Sequence, residues 1–202
     1  MISVIDYGAG NLFSVCNALK YLNLEHRLTN RAEDLESADA LILPGVGAFP
    51  AAMEMLQQSG LTDTILSCAA KKPLLGICLG MQMLLDESDE VAPCKGLSLI
   101  SGEVHRIPSK RVIIPHMGWN ELEITQPDCP LLAGIDTPVY TYFVHSYQGF
   151  CRPENVVAYA DYDGKIPALI TDGKFVFGAQ FHPEKSGEQG LQMLRNFGGL
   201  AK

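Results

Sequence analysis

Leu74-Leu75-Gly76-Ile77-Cys78-Leu79-Gly80-Met81-Gln82 compresses a buried strand, a glycine-flanked cysteine and the start of a helix into nine residues. Residues 74–77 read as a strand covered on both faces, because the run is short and continuously apolar. Residues 81–85 begin a helical pattern. The chain upstream repeats this alternation. Residues 2–7 form a buried strand closed by Gly8-Ala9-Gly10-Asn11, after which Leu12, Val15, Cys16, Leu19 and Leu22 recur at helical spacing. Residues 26–29 and 40–43 are further strands, the second ended by Pro44-Gly45. Residues 52–56 and 61–70 are helical. Strand–helix alternation predicts an α/β core, a largely parallel sheet with helices on both faces. Downstream the strands crowd together, at 98–107, 112–114, 139–145, 156–160, 168–171 and 175–181, and predict an antiparallel extension. No repeat, low-complexity tract or linker interrupts the chain, so 1–202 is expected to be one domain.

With 202 residues, 47% hydrophobic and 19% charged, the composition suits a globular domain with a sizeable core. A net charge of −8 without any Lys/Arg cluster argues against nucleic acid as the main partner. The apolar start at residues 1–5 is too short for a signal peptide, and no stretch is long enough to span a bilayer, so a cytoplasmic location without membrane attachment is expected. The six cysteines, at 16, 68, 78, 94, 129 and 151, show neither a C-x-x-C pair nor the Cys/His spacing of a zinc site. Free thiols and no metal are the expectation, with most of the cysteines acting as small core hydrophobes.

Cys78 differs from the rest. Gly76-Ile77-Cys78-Leu79-Gly80 has the G-x-nucleophile-x-G form of a nucleophile elbow, with sulfur in place of a hydroxyl. Small neighbours relieve the crowding of a sharp strand-to-helix turn. Helix-end amides at such a position favour a thiolate, and the N–H of Leu79 is placed to donate to an oxyanion. Alone, the pentapeptide also admits a structural cysteine in a tight turn. A nucleophilic cysteine needs a base, and among five histidines His182 is best placed, ending the apolar run 175–181 and followed by Pro183-Glu184. Pro183 biases His182 toward extended geometry, so His182 and Glu184 should project to the same side. A carboxylate there can fix the imidazole tautomer and stabilise its charged form. Pro44-Gly45-Val46-Gly47 follows the third strand; it reads as a plain turn or as an oxyanion loop beside Cys78, and without a Gly-Lys-Ser/Thr it is not a phosphate loop.

Pro44-Gly45, Gly76-Ile77-Cys78-Leu79-Gly80 with Gln82, and Phe181-His182-Pro183-Glu184, in that order and spacing, resemble the class I glutamine amidotransferases. Asp6-Tyr7-Gly8-Ala9-Gly10-Asn11, Pro115-His116-Met117-Gly118-Trp119-Asn120, Tyr142-Phe143-Val144-His145-Ser146-Tyr147 and Lys185-Ser186 extend the resemblance over the whole chain, toward the glutaminases of histidine biosynthesis. Many relatives carry glycine where this chain has Val46, a departure that fits the histidine branch. The resemblance implies a flavodoxin-like fold and a Cys78–His182–Glu184 triad, with His182 as general base and acid. It places Gln82, Ser146 and Tyr147 at the backbone end of glutamine and Gly45, Val46 and Gly47 on the oxyanion strand. It implies no cofactor. The implied partner is the cyclase subunit of imidazole glycerol phosphate synthase, a (β/α)8 barrel, docked on Asn11, Trp119, Tyr142 and Lys185. Trp119 also admits a core position, and His116 and His145 read as hydrogen-bonded structural histidines. A glutaminase of another pathway, a non-catalytic binding module and a cysteine hydrolase of other amides are the competing readings.

Overall fold

The computed structural model describes residues 1–108 and 111–201. Its first half alternates as the hydrophobic pattern predicts: β1 (Ile2–Ile5), α1 (Leu12–Tyr21), β2 (His26–Thr29), α2 (Ala32–Ser37), β3 (Ala40–Gly45), α3 (Phe49–Gln58), α4 (Thr62–Ala69), β4 (Leu74–Cys78) and α5 (Leu79–Met83). Strands dominate the second half: β5 (Glu87–Ser88), β6 (Cys94–Lys95), β7 (Gly102–Arg106), β8 (His116–Ile124), β9 (Tyr140–His145), β10 (Tyr147–Cys151), β11 (Val156–Asp161), β12 (Lys165–Thr171) and β13 (Val176–Ala179). The helix α6 (Gly187–Leu200) ends the fold.

The main sheet runs β2-β1-β3-β4-β13-β12-β11-β8-β9. From β2 to β13 the pairing is parallel, and from β13 to β9 it is antiparallel. A second sheet runs β10-β7-β5-β6. The parallel strands are apolar throughout because both faces are covered. In β3, Ala40 and Ile42 face a cluster closed by Val15 and Leu19 of α1 and by Leu194 and Phe197 of α6. Leu41 and Leu43 face the opposite cluster, closed by α2–α5 through Leu35, Phe49, Leu56, Ile65 and Met81. Fully burying each such side chain is worth about 1.5–3 kcal/mol, so the three layers hold the strand ends that carry the site rigidly.

Two expectations need correction, and two elements were missed. The strand expected over 98–107 contracts to β7, because Leu97, Leu99 and Ile100 bond through their N–H groups to the carbonyls of Met83 and Leu84 and pack as a loop. Residues 112–114 form no strand; pairing begins at His116, after Pro115, which has no N–H to offer a ladder. The strand β10 and the helix α6 were not legible in the pattern. α6 carries four glycines in fourteen residues, which masks its periodicity. Gly190 has a tertiary reason: a Cβ there would fall 2.3 Å from the Pro183 carbonyl oxygen, so glycine lets α6 press against the turn after His182. Among the described residues no helix is long and apolar enough to cross a membrane.

Candidate active site

Cys78 is the last residue of β4 and turns the chain into α5 with φ 55° and ψ −111°. Positive φ strains a residue with a Cβ, and such strain persists only where the surroundings enforce it. Three glycines provide the enforcement. A Cβ on Gly80 would lie 1.9 Å from the Leu43 carbonyl oxygen, one on Gly76 2.6 Å from that of Gly80, and one on Gly45 2.5 Å from the Gly80 nitrogen. The start of α5 is therefore pressed onto β3 and β4 until only glycine fits. α5 has just five residues, so its help to a thiolate is that of a few local N–H donors, not of a long helix dipole.

The Cys78 side chain is 7% exposed at the floor of a cleft of about 380 Å³. Its thiol faces the Val144 carbonyl at 3.9 Å, and the Gln180 Nε2 faces the sulfur at the same distance. His182 lines the same cleft. Its Nδ1–H donates to Glu184 Oε1 at 2.8 Å with both side chains buried, and its Nε2 has no hydrogen-bond partner among the described residues. Glu184 reaches the imidazole differently from the expected extended alternation. His182 itself is extended, but Pro183–Lys185 is a 3-10 turn that curls the carboxylate back under the ring. Burial works against a charged His182, yet the Cys78 sulfur and Glu184 outweigh it and push the ring up to about 9. The sulfur acts here by proximity, since no hydrogen bond to Nε2 has formed. The ring can thus stay protonated at neutral pH and begin as an acid.

Of the expected oxyanion residues, Leu79, Val46 and Gly47 line the cleft. Gly45 lies one residue back in β3, in register with Cys78, where it packs on Gly80. The loop's unusual backbone sits at Gly47, φ +99°, while Val46 keeps an ordinary φ and leaves its side chain 45% exposed. Gln82, Ser146 and Tyr147 also line the cleft. Gln82 is buried and donates to the Tyr147 carbonyl and to Gln180 Oε1, each at 2.9 Å. Glu90 also lines the cleft, with Oε2 accepting from the Phe49 N–H at 2.8 Å. Sequence reading missed it, for it sits in an irregular segment with no motif; Gln180, next to Phe181-His182, was closer to being legible.

Trp119 is 57% exposed, which excludes the core position. It pairs with Tyr142 across β8 and β9, ring edge to face at 6.1 Å. Met117, two residues away on the same face of β8, is 61% exposed. The turn holding Lys185 packs between α1, whose first residue follows Asn11, and β9. Met117 and Trp119 thus leave large apolar side chains exposed together on one face of β8.

The chain matches the family model "Glutamine amidotransferase class-I" over residues 3–199. It belongs to the class I glutamine amidotransferases. This amidotransferase is 48% identical over 203 residues to the imidazole glycerol phosphate synthase subunit HisH of Bacillus cereus (strain G9842), covering 100% of this chain and 96% of that protein. It is 45% identical over 205 residues to the subunit of the same name from Bacillus anthracis, with the same coverage. Among solved structures, a glutamine amidotransferase superposes with a TM-score of 0.77 at 23% identity, covering 99% of this chain and 98% of that one. PurLQS from Thermotoga maritima superposes with a TM-score of 0.79 at 20% identity, covering 100% and 98%. At such identities these two show the amidotransferase fold alone.

Proposed function

We propose that this amidotransferase is the glutaminase subunit of an imidazole glycerol phosphate synthase, a single 202-residue unit that makes ammonia from glutamine for a cyclase partner in histidine biosynthesis. The observation that carries the chemistry is the cleft shared by Cys78 and the buried His182–Glu184 pair. Near-complete coverage of relatives that bear that name supports the pathway.

Cys78 adds to the side-chain amide carbon of glutamine, and the N–H groups of Leu79 and of the Val46–Gly47 loop take the oxyanion. His182, already protonated, gives its proton to the departing ammonia. The sulfur attacks as the thiolate whose proton His182 holds. Once ammonia has left, the neutral ring draws a proton from water and the hydroxide adds to the glutamyl thioester. Glutamate departs as Cys78 leaves as the thiolate beside the reprotonated His182. Glu184 holds the imidazole tautomer with Nε2 toward the sulfur. Proton transfer of this kind is worth about 10²–10⁴-fold, and each oxyanion donor about 10²–10³-fold. Gln82, Ser146, Tyr147 and Glu90 receive the amino-acid end of the substrate, where the Glu90 carboxylate suits an α-ammonium. Asn11, Trp119, Tyr142 and Lys185 dock the barrel. Ammonia is mostly protonated in neutral water and then not nucleophilic, which is the physical reason for direct delivery.

The test is glutamate release from glutamine by the chain mixed with its cyclase and the cyclase's nucleotide ligand. Cys78→Ala should reduce release to background while leaving folding and docking intact. Turnover by Cys78→Ala at a rate comparable to the wild type would show that the nucleophile lies elsewhere.

A further inference from the structure

His145 lines the cleft but has no part in the triad. Its Nδ1 lies 2.8 Å from the Tyr147 carbonyl. A carbonyl only accepts, so Nδ1 carries the proton. A neutral ring then has a bare Nε2, and this atom faces Nδ1 of His116 at 3.0 Å. His116 must therefore donate through Nδ1 and leave its own Nε2 bare, 3.5 Å from the Asn120 amide nitrogen. Every proton in the series is assigned by the Tyr147 carbonyl at its end. Burial favours the neutral rings and pulls both histidines down to about 4. A protonated His145 would set two N–H groups against each other.

The same carbonyl accepts from Gln82 Nε2, whose second proton goes to Gln180 Oε1, and Gln180 Nε2 faces the Cys78 sulfur. The hydrogen-bonded series thus runs from β8 to the nucleophile. At its outer end His116 is clamped between the rings of Phe143, 4.6 Å away, and Tyr162, 3.9 Å away. β8 and β9, which carry this pair in register, also carry Trp119 and Tyr142.

We infer that His145, backed by His116, is a positioning residue for the glutaminase reaction. Its Nδ1–H holds the Tyr147 carbonyl, and with it the substrate wall and the Gln82–Gln180 relay, of which Gln180 reaches the sulfur. The inference rests on the reading proposed above and adds to it a device that links the docking strands to the cleft. Replacing a ring donor by nothing frees the Tyr147 peptide to tilt, and one lost buried hydrogen bond corresponds to about a tenfold change in an equilibrium.

Two polar substitutions separate the ring nitrogens. An Asn amide overlays Nδ1 and can still donate to Tyr147; a Gln amide overlays Nε2 and cannot. In the chain–cyclase complex with nucleotide ligand, His145→Asn should keep the wild-type KM for glutamine, whereas His145→Gln should raise it about tenfold. On the isolated chain, iodoacetamide alkylation of Cys78, followed on its own peptide by mass spectrometry, should slow several-fold in His145→Gln and not in His145→Asn. Equal KM values and equal alkylation rates for the two variants, or a larger defect in His145→Asn, would overturn the positioning role. A wild-type complex that releases no glutamate would overturn the function proposed above instead, and the alkylation comparison, which needs no substrate, would still decide this one.

Discussion

His182 shows how burial and two neighbours set the state of one ring. Burial alone would make it neutral, but Glu184 at 2.8 Å and the nearby Cys78 sulfur push it up to about 9. NMR titration of the imidazole should therefore give a midpoint near 9. The midpoint should fall in Cys78→Ser and in Glu184→Gln, since each change removes a group that favours the charged ring. Because the folded-state value is raised, the stability it contributes is complete below the ordinary histidine value near 6.5 and is lost as pH rises through about 9. Unfolding free energy should decline across that window, and less so in the Glu184→Gln variant. A midpoint at or below 6.5 in the wild type would mean that the reaction starts from a neutral imidazole.

At the scale of elements, β8 and β9 present different chemistry on their two faces. The inner face holds the His116–His145 pair; the outer face exposes Met117 and Trp119, with Tyr142 beside them. An exposed aromatic anchor of this sort typically contributes about 2 kcal/mol or more to a complex, roughly thirtyfold in Kd. Trp119→Ala should weaken binding of the cyclase by that order, and Asn11→Ala by less. Both should reduce glutamine-dependent synthesis while ammonia-dependent synthesis by the cyclase stays unchanged. Equal affinity and equal coupled activity after both changes would relocate the docking face.

At the scale of the whole molecule, the cleft lies along the edge where β3, β4 and β13 end and β9 passes into β10. The Val46–Gly47 loop sits on that edge, with its left-handed residue at Gly47 and a half-exposed Val46. We propose that the partner turns one peptide of this loop into an oxyanion donor. Gaining a donor worth about 4 kcal/mol corresponds to roughly a thousandfold in rate. Glutamine turnover should then be slow in the free chain, faster in the complex and fastest in the complex with nucleotide ligand. A free chain as fast as the liganded complex would mean that the loop is preformed.

The parallel core, the elbow at Cys78 and the His182-Pro183-Glu184 segment were legible in the chain alone because each depends on neighbours in sequence. A strand buried on both faces is apolar throughout, and a strained turn needs glycines two residues to either side. β10, α6, Glu90 and the pairing of His116 with His145 depended on contacts between distant segments. α6 is held by tertiary packing against Gly190 and Gly198, and Glu90 is brought to the cleft by bonding to the Phe49 N–H, 41 residues away. Local sequence names residue types and their spacing; which carbonyl a buried imidazole must face, and therefore which of its nitrogens holds the proton, is decided only when strands far apart in the chain come into register.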